Sequence, residues 1–509
     1  MTKSGQQYIE GLRDGRRVHI DGEVVGDVTR HPAFRGSVGS IAGMYDSVHD
    51  PANAELMTFP SPATGQPVNR SFMIPRSEED LVSRRRALKR SSEATFGLMG
   101  RSPDHVAGFL SGFAGGCDVF AEGGKEFGEN IVRFHERARD EDLYVTYVIV
   151  PPQIDRSKPA HAQADPFPYA GVKEERDGGI VIRGAQMLGT GSAISDYVFL
   201  SCIHPLQPGD EAYAISAAIP MGAPGVKVYS RRSYAEGATS VFDYPLSTRF
   251  DETDSLMVFD DVFVPWEEVF VYRNLEVLRA QWERTAGHVL GNNQAQIRSW
   301  TKLDFLCGVA RRVAAMNGSD KAPPVKGAIG EIAALASTVA GLVLAQEHNC
   351  YVDHNGVAWP APAECYANMA LQSEIYPKCL TMIRDLCGGG LIQLPSAADD
   401  YANPDIAADL ERYVQSPGYP SVERVKLLKL AWDLIGSEFA GRHLQYEMFY
   451  AGAPFLVKMK MFEKFDWGRA DDLVDAALAG YDLGGPREPG ARSAAGDSSG
   501  VLGRNFSEG

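Results

Sequence analysis

Tyr144-Val145-Thr146-Tyr147-Val148-Ile149-Val150 is the stretch at which the chain changes character. Val, Ile, Thr and Tyr suit a pleated surface and lose rotamer freedom in a helix, so seven of them in a row read as a strand. On its N-terminal side, from about 77 to 139, the sequence reads as helix. Ser77 followed by Glu78, Glu79 and Asp80 is a helix-start signal, and Leu81, Leu88 and Phe96 mark an apolar stripe. The segments 104–113 and 126–139 continue in that style. On its C-terminal side short β-rich runs recur at 179–182, 197–200, 212–219, 226–229 and 256–259. Gly, Pro and Asp separate them, the pattern of a sandwich or barrel. After Trp266 the helical period returns, and 275–317, 327–353, 361–387 and 419–450 are long enough for a bundle. The expected organisation is therefore α+β and multi-domain. It comprises a mainly helical domain over 1–143, a β-barrel domain over 144–274, a helical bundle over 275–483, and a disordered Gly/Ser/Arg/Pro-rich tail over 484–509.

Composition narrows the function. The chain has 509 residues, and 50 Lys plus Arg against 66 Asp plus Glu gives a net charge of −16. Such a chain offers no basic stripe for phosphates, so no nucleic-acid partner is expected. Hydrophobic residues at 44% and aromatics at 10% exclude a disordered chain. The seven Cys are scattered and odd in number, which does not make a disulfide framework. The first residues hold no apolar signal core, and no apolar run is expected to reach the ~20 residues that span a bilayer, so a cytoplasmic protein without a membrane partner is expected.

Several chemistries lack their motifs. Gly189-Thr190-Gly191-Ser192-Ala193-Ile194 follows a strand but lacks the third glycine of a dinucleotide site, and the order of elements is not βαβ. No Walker loop occurs, and no Gly-x-Ser-x-Gly elbow lies within 1–483, ahead of the expected tail. His348, Cys350 and His354 have no second ligand pair, so no metal is expected. Cys117 reads as a small residue near a helix end rather than a nucleophile. Three strings do point to a site. In Gly100-Arg101-Ser102-Pro103-Asp104-His105, Pro103 starts a helix, Arg101 stands just before it and His105 one turn beyond, so that a planar cation and an imidazole become neighbours; the plainer reading is a capped helix with a surface Arg. Pro151-Pro152-Gln153-Ile154-Asp155-Arg156 follows the first strand, as a polar turn or as a rim of amide and guanidinium donors. Thr190 lies between two glycines that admit close approach to the backbone.

Together these strings resemble the 4-hydroxyphenylacetate 3-monooxygenase (large component) family of flavin-dependent aromatic hydroxylases, which includes chlorophenol and tyrosine-type hydroxylases. The similarity runs to about Asp482. It is carried by 8–16, 27–34, 45–51, Gly100-Arg101-Ser102-Pro103-Asp104, Pro152-Gln153-Ile154-Asp155-Arg156 and Gly189-Thr190-Gly191. Later stretches are Phe259-Asp260-Asp261-Val262-Phe263-Val264-Pro265-Trp266, Lys302-Leu303-Asp304-Phe305, 423–426, 429–433 and 446–452. The resemblance implies an acyl-CoA-dehydrogenase-like fold, with N-terminal helices, a central β barrel and a C-terminal bundle, assembled as a homotetramer. It implies reduced FAD taken from a separate NAD(P)H-dependent flavin reductase by diffusion, O2 as co-substrate, and hydroxylation of an aromatic, phenolic substrate through a C4a-hydroperoxyflavin.

Residue by residue, Arg101 matches the family Arg near flavin and substrate hydroxyl. Gln153, Ile154, Asp155 and Arg156 match the flavin-binding turn, and Thr190 the hydroxyl near the isoalloxazine. Tyr450, Ala451, Gly452 and Ala453 fall at the C-terminal flavin contact. Two positions depart: His105 stands where Tyr is common, and Tyr147 where His is common. Gln294 also replaces a His that some members carry. With reference pKa values near 6.5 and 10, His105 is expected to act as base and to set an acid limb in the pH–rate profile, with Tyr147 as a neutral hydrogen-bond partner. The departures leave a second reading open, the same flavin chemistry on a heteroaromatic, an arylamine or a carrier-tethered ring. Substrate choice is expected to lie in 201–210 and 285–298.

Overall fold

The computed structural model describes residues 2–479, 481–483 and 485–486, so nearly all of the expected tail 484–509 lies outside the described residues. Contacts divide the chain into one unit ending at Met461 and a second beginning at Phe462.

In the first unit the helices begin where the sequence signals them. The Ser77 hydroxyl accepts the Asp80 N–H at 3.2 Å and starts Glu78–Glu93. Pro103 opens Pro103–Gly115, a helix buried along almost its whole length. Burial on that scale demands close neighbours, and glycine provides them. A Cβ on Gly112 would stand 2.1 Å from the backbone nitrogen of Gly287, and one on Gly108 would meet the Leu290 carbonyl at 3.1 Å. The opposing helix Gly287–Met316 reciprocates with Gly287 and Gly291, whose own Cβ positions are filled by the rings of Phe113 and Phe109. This crossing sets His105 against Gln294. Gly112→Ala should therefore cost about 1–3 kcal/mol, because backbone rather than a movable side chain must yield; the denaturation midpoint reads it.

The β unit comprises two sheets, and an antiparallel bridge from Val150 to Met187, with the Met187 N–H donating to the Val150 carbonyl at 2.9 Å, links the edge of the second to the first. One runs Glu23–Val24, Arg17–Ile20, Val226–Ser230, Ser255–Pro265, Gly179–Gln186, Gly171–Arg176; the other runs Val269–Tyr272, Ile215–Pro220, Tyr197–Leu200, Val145–Val148. The diagnostic strand Val145–Val148 pairs in parallel with Tyr197–Leu200, with Tyr147 opposite Phe199. Arg17–Ile20 comes from the segment expected to be mainly helical and joins Val226–Ser230 in parallel. It is short, and it also turns back through Asp21-Gly22 to pair antiparallel with Glu23–Val24. The strand expected over 256–259 runs to Pro265, because Asp260 and Asp261 form a bulge rather than a turn, with Asp261 at φ 56°.

The bundle comprises Leu275–Glu283, Gly287–Met316, Pro323–His348, Pro362–Cys387, Pro404–Tyr413, Ser421–Ile435, Glu438–Phe449 and Pro454–Lys464, the last running across the boundary between the units. Pro323–His348 starts earlier than expected because proline is admitted in a first turn. It ends at His348, since Tyr351–Val352 pairs with Ala358–Trp359. Contrary to the sequence reading, this helix is long and apolar enough to cross a membrane by length and composition. It packs instead on Gly287–Met316 and Pro362–Cys387, leaving Gly330, Ala333, Ala334, Ser337, Gly341 and Leu344 exposed. His348 faces Glu78 at 3.5 Å and His354 faces Asp118 at 2.9 Å, on separate surface pairs.

The second unit holds Trp467–Leu478, whose start is capped by the Asp466 carboxylate accepting the Arg469 N–H at 3.1 Å.

Candidate active site

Arg101 is fixed from its backbone outward. The N–H groups of Gly100 and Arg101 donate to the two oxygens of Glu252 at 2.8 and 2.6 Å, and the Tyr144 hydroxyl donates to the Arg101 carbonyl at 2.5 Å. The guanidinium donates through Nη1 to the Tyr446 hydroxyl at 2.8 Å and reaches the Tyr450 carbonyl through Nη2 at 3.5 Å. Its plane lies 5.1 Å from the Tyr147 ring centre and 5.2 Å from that of Tyr446. Burial disfavours the charge, but Tyr147, Tyr446 and Glu252 more than offset it and hold the guanidinium pKa above its ordinary value. Arg101 is thus a buried cation and not the surface residue of the plainer reading.

His105 is buried one turn along. Its ring centre lies 5.5 Å from that of Tyr147 and 5.3 Å from that of Phe109. Nδ1 meets the Gln294 side-chain oxygen at 2.9 Å, and Nε2 is buried without a partner. Burial and the Arg101 charge push the imidazole well below 6.5, against the opposing effect of the Gln294 bond. Phe109 continues the aromatic wall to Tyr147 and Trp282, whose indole N–H is also buried and unpartnered.

Thr190 joins from the β unit. Its hydroxyl donates to Asp254 at 2.6 Å, and its carbonyl accepts the Thr146 hydroxyl at 2.7 Å, one residue before Tyr147. Asp254 accepts from Arg442 at 2.7 Å and Arg231 at 2.9 Å, and these cations hold its carboxyl far below the usual range despite burial. Gly191 follows at φ 74°, where a side chain would be strained.

The other nominated residues are placed less closely. Gln153, Ile154 and Arg156 are exposed beyond the end of Val145–Val148, and the Asp155 carboxylate turns to its own loop, accepting from Ser157. They make no hydrogen bond to the Arg101 cluster among the described residues. Tyr450 presents its carbonyl to Arg101 and keeps its hydroxyl buried and unpartnered. Ala451 packs in the apolar cluster around Leu290 and Val457, Gly452 has φ 104°, and Ala453 is half-buried.

Sequence reasoning did not nominate Tyr446, Glu252, Asp254 or Arg442, nor the buried group Arg298, Lys302 and Glu447. A signal existed: Arg298 and Lys302, Arg442 and Tyr446, and His443 and Glu447 stand four apart on otherwise core-facing helices, where charge needs a reason.

Family models for 4-hydroxyphenylacetate 3-hydroxylase match the chain in both halves, the N-terminal model over residues 4–271 and the C-terminal model over 278–479. The chain belongs to the 4-hydroxyphenylacetate 3-hydroxylase family. The family comprises oxygenase components of two-component, FADH2-dependent aromatic hydroxylases. A 4-hydroxyphenylacetate 3-monooxygenase oxygenase component of Pseudomonas aeruginosa is 37% identical over 95% of this chain and 94% of its own. A (3S)-3-amino-3-(3-chloro-4-hydroxyphenyl)propanoyl-[peptidyl-carrier protein SgcC2] monooxygenase of Streptomyces globisporus is 35% identical over 96% and 93%. A crystal structure of the oxygenase component of 4-hydroxyphenylacetate 3-monooxygenase, complexed with FAD and 4-hydroxyphenylacetate, superimposes with a TM-score of 0.89 at 32% identity, over 94% of this chain and 98% of that one. The family fold, mostly helical with β sheets, is the one described above.

Proposed function

We propose that this member of the 4-hydroxyphenylacetate 3-hydroxylase family hydroxylates a phenol, taking reduced FAD from a separate reductase and O2 as co-substrate. The observation that carries this reading is the meeting of Arg101 and His105, from one helix start, with Tyr147, from a distant strand, in one cluster walled by Phe109 and Trp282. The chain's residues suit a flavin: the exposed amide and guanidinium of Gln153 and Arg156 and the unpartnered Tyr450 hydroxyl are donors awaiting a partner, and the glycines beside Thr190 leave room for close approach to the backbone. Bound reduced FAD supplies activation of O2 and delivery of one oxygen atom to the ring. The protein supplies the rest. Arg101 favours a substrate hydroxyl sharing or losing its proton, His105 Nε2 accepts that hydrogen bond, Tyr147 adds a neutral contact, and the aromatic wall keeps water out. The test is to mix the protein with chemically reduced FAD, air and a panel of phenols, indoles and arylamines. Hydroxylated product supports the reading, and reoxidation at the rate of free flavin with no product overturns it.

The environment of His105 alters the pH expectation. The acid limb near 6.5 anticipated from sequence should be missing, because burial and Arg101 keep the imidazole neutral well below that pH. Hydroxylation rate should be level from pH 8 to 6, and its fall should appear only at lower pH. A limb centred near 6.5 that His105→Ala abolishes would restore the earlier view.

A carrier-tethered substrate is the second reading, favoured by His105 and Tyr147 standing in exchanged positions and by the named substrate of the Streptomyces relative. The panel distinguishes it: turnover of a tethered aryl thioester with none of the free acid selects this reading.

We also propose a homotetramer built through the bundle. The exposed Ala334, Ser337, Gly341 and Leu344 on Pro323–His348 form a small-residue face on an apolar helix, which suits close approach of a second copy. Gly341→Arg should reduce the mass seen by light scattering to a smaller assembly and leave the far-ultraviolet circular dichroism unchanged. An unchanged mass refutes this placement.

A further inference from the structure

We infer that Gln294 is a positioning residue that holds His105 as a neutral imidazole with its hydrogen on Nδ1, so that a bare Nε2 faces the reacting ring and selects rings bearing a hydrogen-bond donor. The selectivity half rests on the phenol reading above; the tautomer does not.

Each group between Asp104 and His105 has an obligate hydrogen-bonding role. Asp104 Oδ1 accepts from the Ser102 hydroxyl at 2.5 Å and from the Gln294 amide nitrogen at 3.0 Å. Burial raises the Asp104 pKa, opposed by the Ser102 and Gln294 bonds, by the fully buried Arg84 nearby and by its place in the first turn of Pro103–Gly115. An oxygen that receives two donors is an acceptor, whether in a carboxylate or as the carbonyl oxygen of the acid, so the group Gln294 turns to it must be its nitrogen. The amide of Gln294 is thereby oriented, its nitrogen toward Asp104 and its oxygen toward His105. A carbonyl oxygen only accepts, so His105 Nδ1, 2.9 Å away, carries the hydrogen. A neutral imidazole has one, so Nε2 keeps its lone pair. That atom is buried with nothing to accept from. The charged or titratable groups around the ring are Arg101, Tyr147, Asp104 and Arg298. The cations Arg101 and Arg298 keep the ring from gaining a second hydrogen.

An unpaired buried acceptor is costly, so the site favours a ligand that donates to it: a phenol hydroxyl, an aromatic amine or an indole N–H. The methyl ether of the same ring leaves Nε2 unpaired and should bind about 10- to 100-fold more weakly. Gln294 touches neither ring nor flavin in this account and acts only through His105.

Solid-state NMR of the full chain labelled with ring-15N histidine, with His105 assigned by the signal lost in His105→Asn, reads the tautomer directly. The expected result is a protonated Nδ1 and a bare Nε2, unchanged from pH 6 to 9. Asp104→Asn, which keeps the volume but lets the amide at 294 turn over, should split His105 between tautomers. Gln294→Met should do the same. Gln294→Glu, whose carboxylic acid can donate to Asp104 and accept from His105, should restore the single form. In calorimetry the preference for 4-hydroxyphenylacetate over 4-methoxyphenylacetate should fall to within about threefold in Asp104→Asn, against about 10- to 100-fold in the parent. An Nε2–H tautomer in the parent overturns the inference. So does a tautomer unmoved by both Asp104→Asn and Gln294→Met. The stated tautomer with neither acid binding supports the positioning role and overturns the phenol selectivity.

Discussion

Arg101→Met should lower product formed per reduced flavin consumed by about 10²-fold or more, with hydrogen peroxide rising in proportion. Methionine keeps much of the buried stem and removes the charge and the five donors, so the loss reports on electrostatics more than on packing. The guanidinium is held on three sides, by the Tyr446 hydroxyl, the Tyr450 carbonyl and the faces of two tyrosine rings, and its backbone is clamped by Glu252. A cation fixed in this way has no reorganisation to undergo when negative charge develops on a substrate oxygen, and in a water-excluded cluster such a contact is worth several kcal/mol in rate. Tyr446→Phe removes one of those supports and leaves the charge, so it should cost only about tenfold. Equal losses in the two variants would mean that Arg101 serves the packing of its neighbours. No loss in Arg101→Met would mean that the reaction occurs elsewhere. Counting product and peroxide against flavin consumed separates these outcomes.

What the sequence made legible follows from how local each feature is. The helix start at Ser77 and the opening of Pro103–Gly115 depend on residues within one turn, and both are where the sequence places them. The strand at Tyr144–Val150 was readable because β-branched and aromatic residues are concentrated in it; Val145–Val148 forms the ladder and Val150 adds an antiparallel bridge to Met187. Arg17–Ile20 was missed although half of its pairing is local: it turns through Asp21-Gly22, both at positive φ, onto Glu23–Val24, a hairpin too short to show an alternating pattern, and only its parallel partner Val226–Ser230 is remote. The run was read as ending at 259 because Asp260 and Asp261 follow and Asp is depleted in strands; here Lys173, Arg183 and Lys227 collect their carboxylates across the sheet and the strand continues.

The site divides along the same line. Arg101 and His105 lie on one helix start, so their adjacency follows from spacing. Tyr147 came through resemblance, and the geometry then brought all three together. What the spacing did not reveal is what surrounds them. Gln294 was visible only as a departure from the family pattern, and its effect on the His105 proton needs Asp104 and the glycine-lined crossing of two helices. The pKa of His105 illustrates the gap most clearly. Sequence supplies the reference value, and burial beside Arg101 moves it.

Glu447→Gln should be the most destabilising substitution in the bundle, by about 3–5 kcal/mol near neutral pH. Glu447 is fully buried and accepts from Arg298 Nη1 at 2.7 Å and Nη2 at 2.9 Å, from Lys302 at 2.9 Å and from Gln372 at 2.7 Å. Arg298 and Lys302 are equally buried, so one carboxylate serves two cations. The imbalance shows in their acidities. The cations hold Glu447 far below the usual carboxylate range despite its burial, whereas burial lowers Lys302 to about 8. Lys302 is therefore the member that yields when the anion is removed. Its folded pKa lies below its unfolded value, so the unfolded chain binds the proton more readily and stability falls as pH drops through that interval. Without Glu447 the folded pKa of Lys302 moves lower still, which extends the interval downward. At pH 9 the lysine is largely neutral in both proteins when folded, and the difference between them narrows to the lost Arg298 pairing. The penalty of Glu447→Gln should accordingly be larger at pH 6.5 than at pH 9, a comparison that denaturant midpoints at the two pH values make directly. The same substitution loosens Glu438–Phe449, the helix that carries Arg442 to Asp254 and Tyr446 to Arg101, so coupling should fall with stability. A penalty below about 1 kcal/mol, or one that does not change with pH, would show that water reaches the triad and that these charges are not paired in a dry interior.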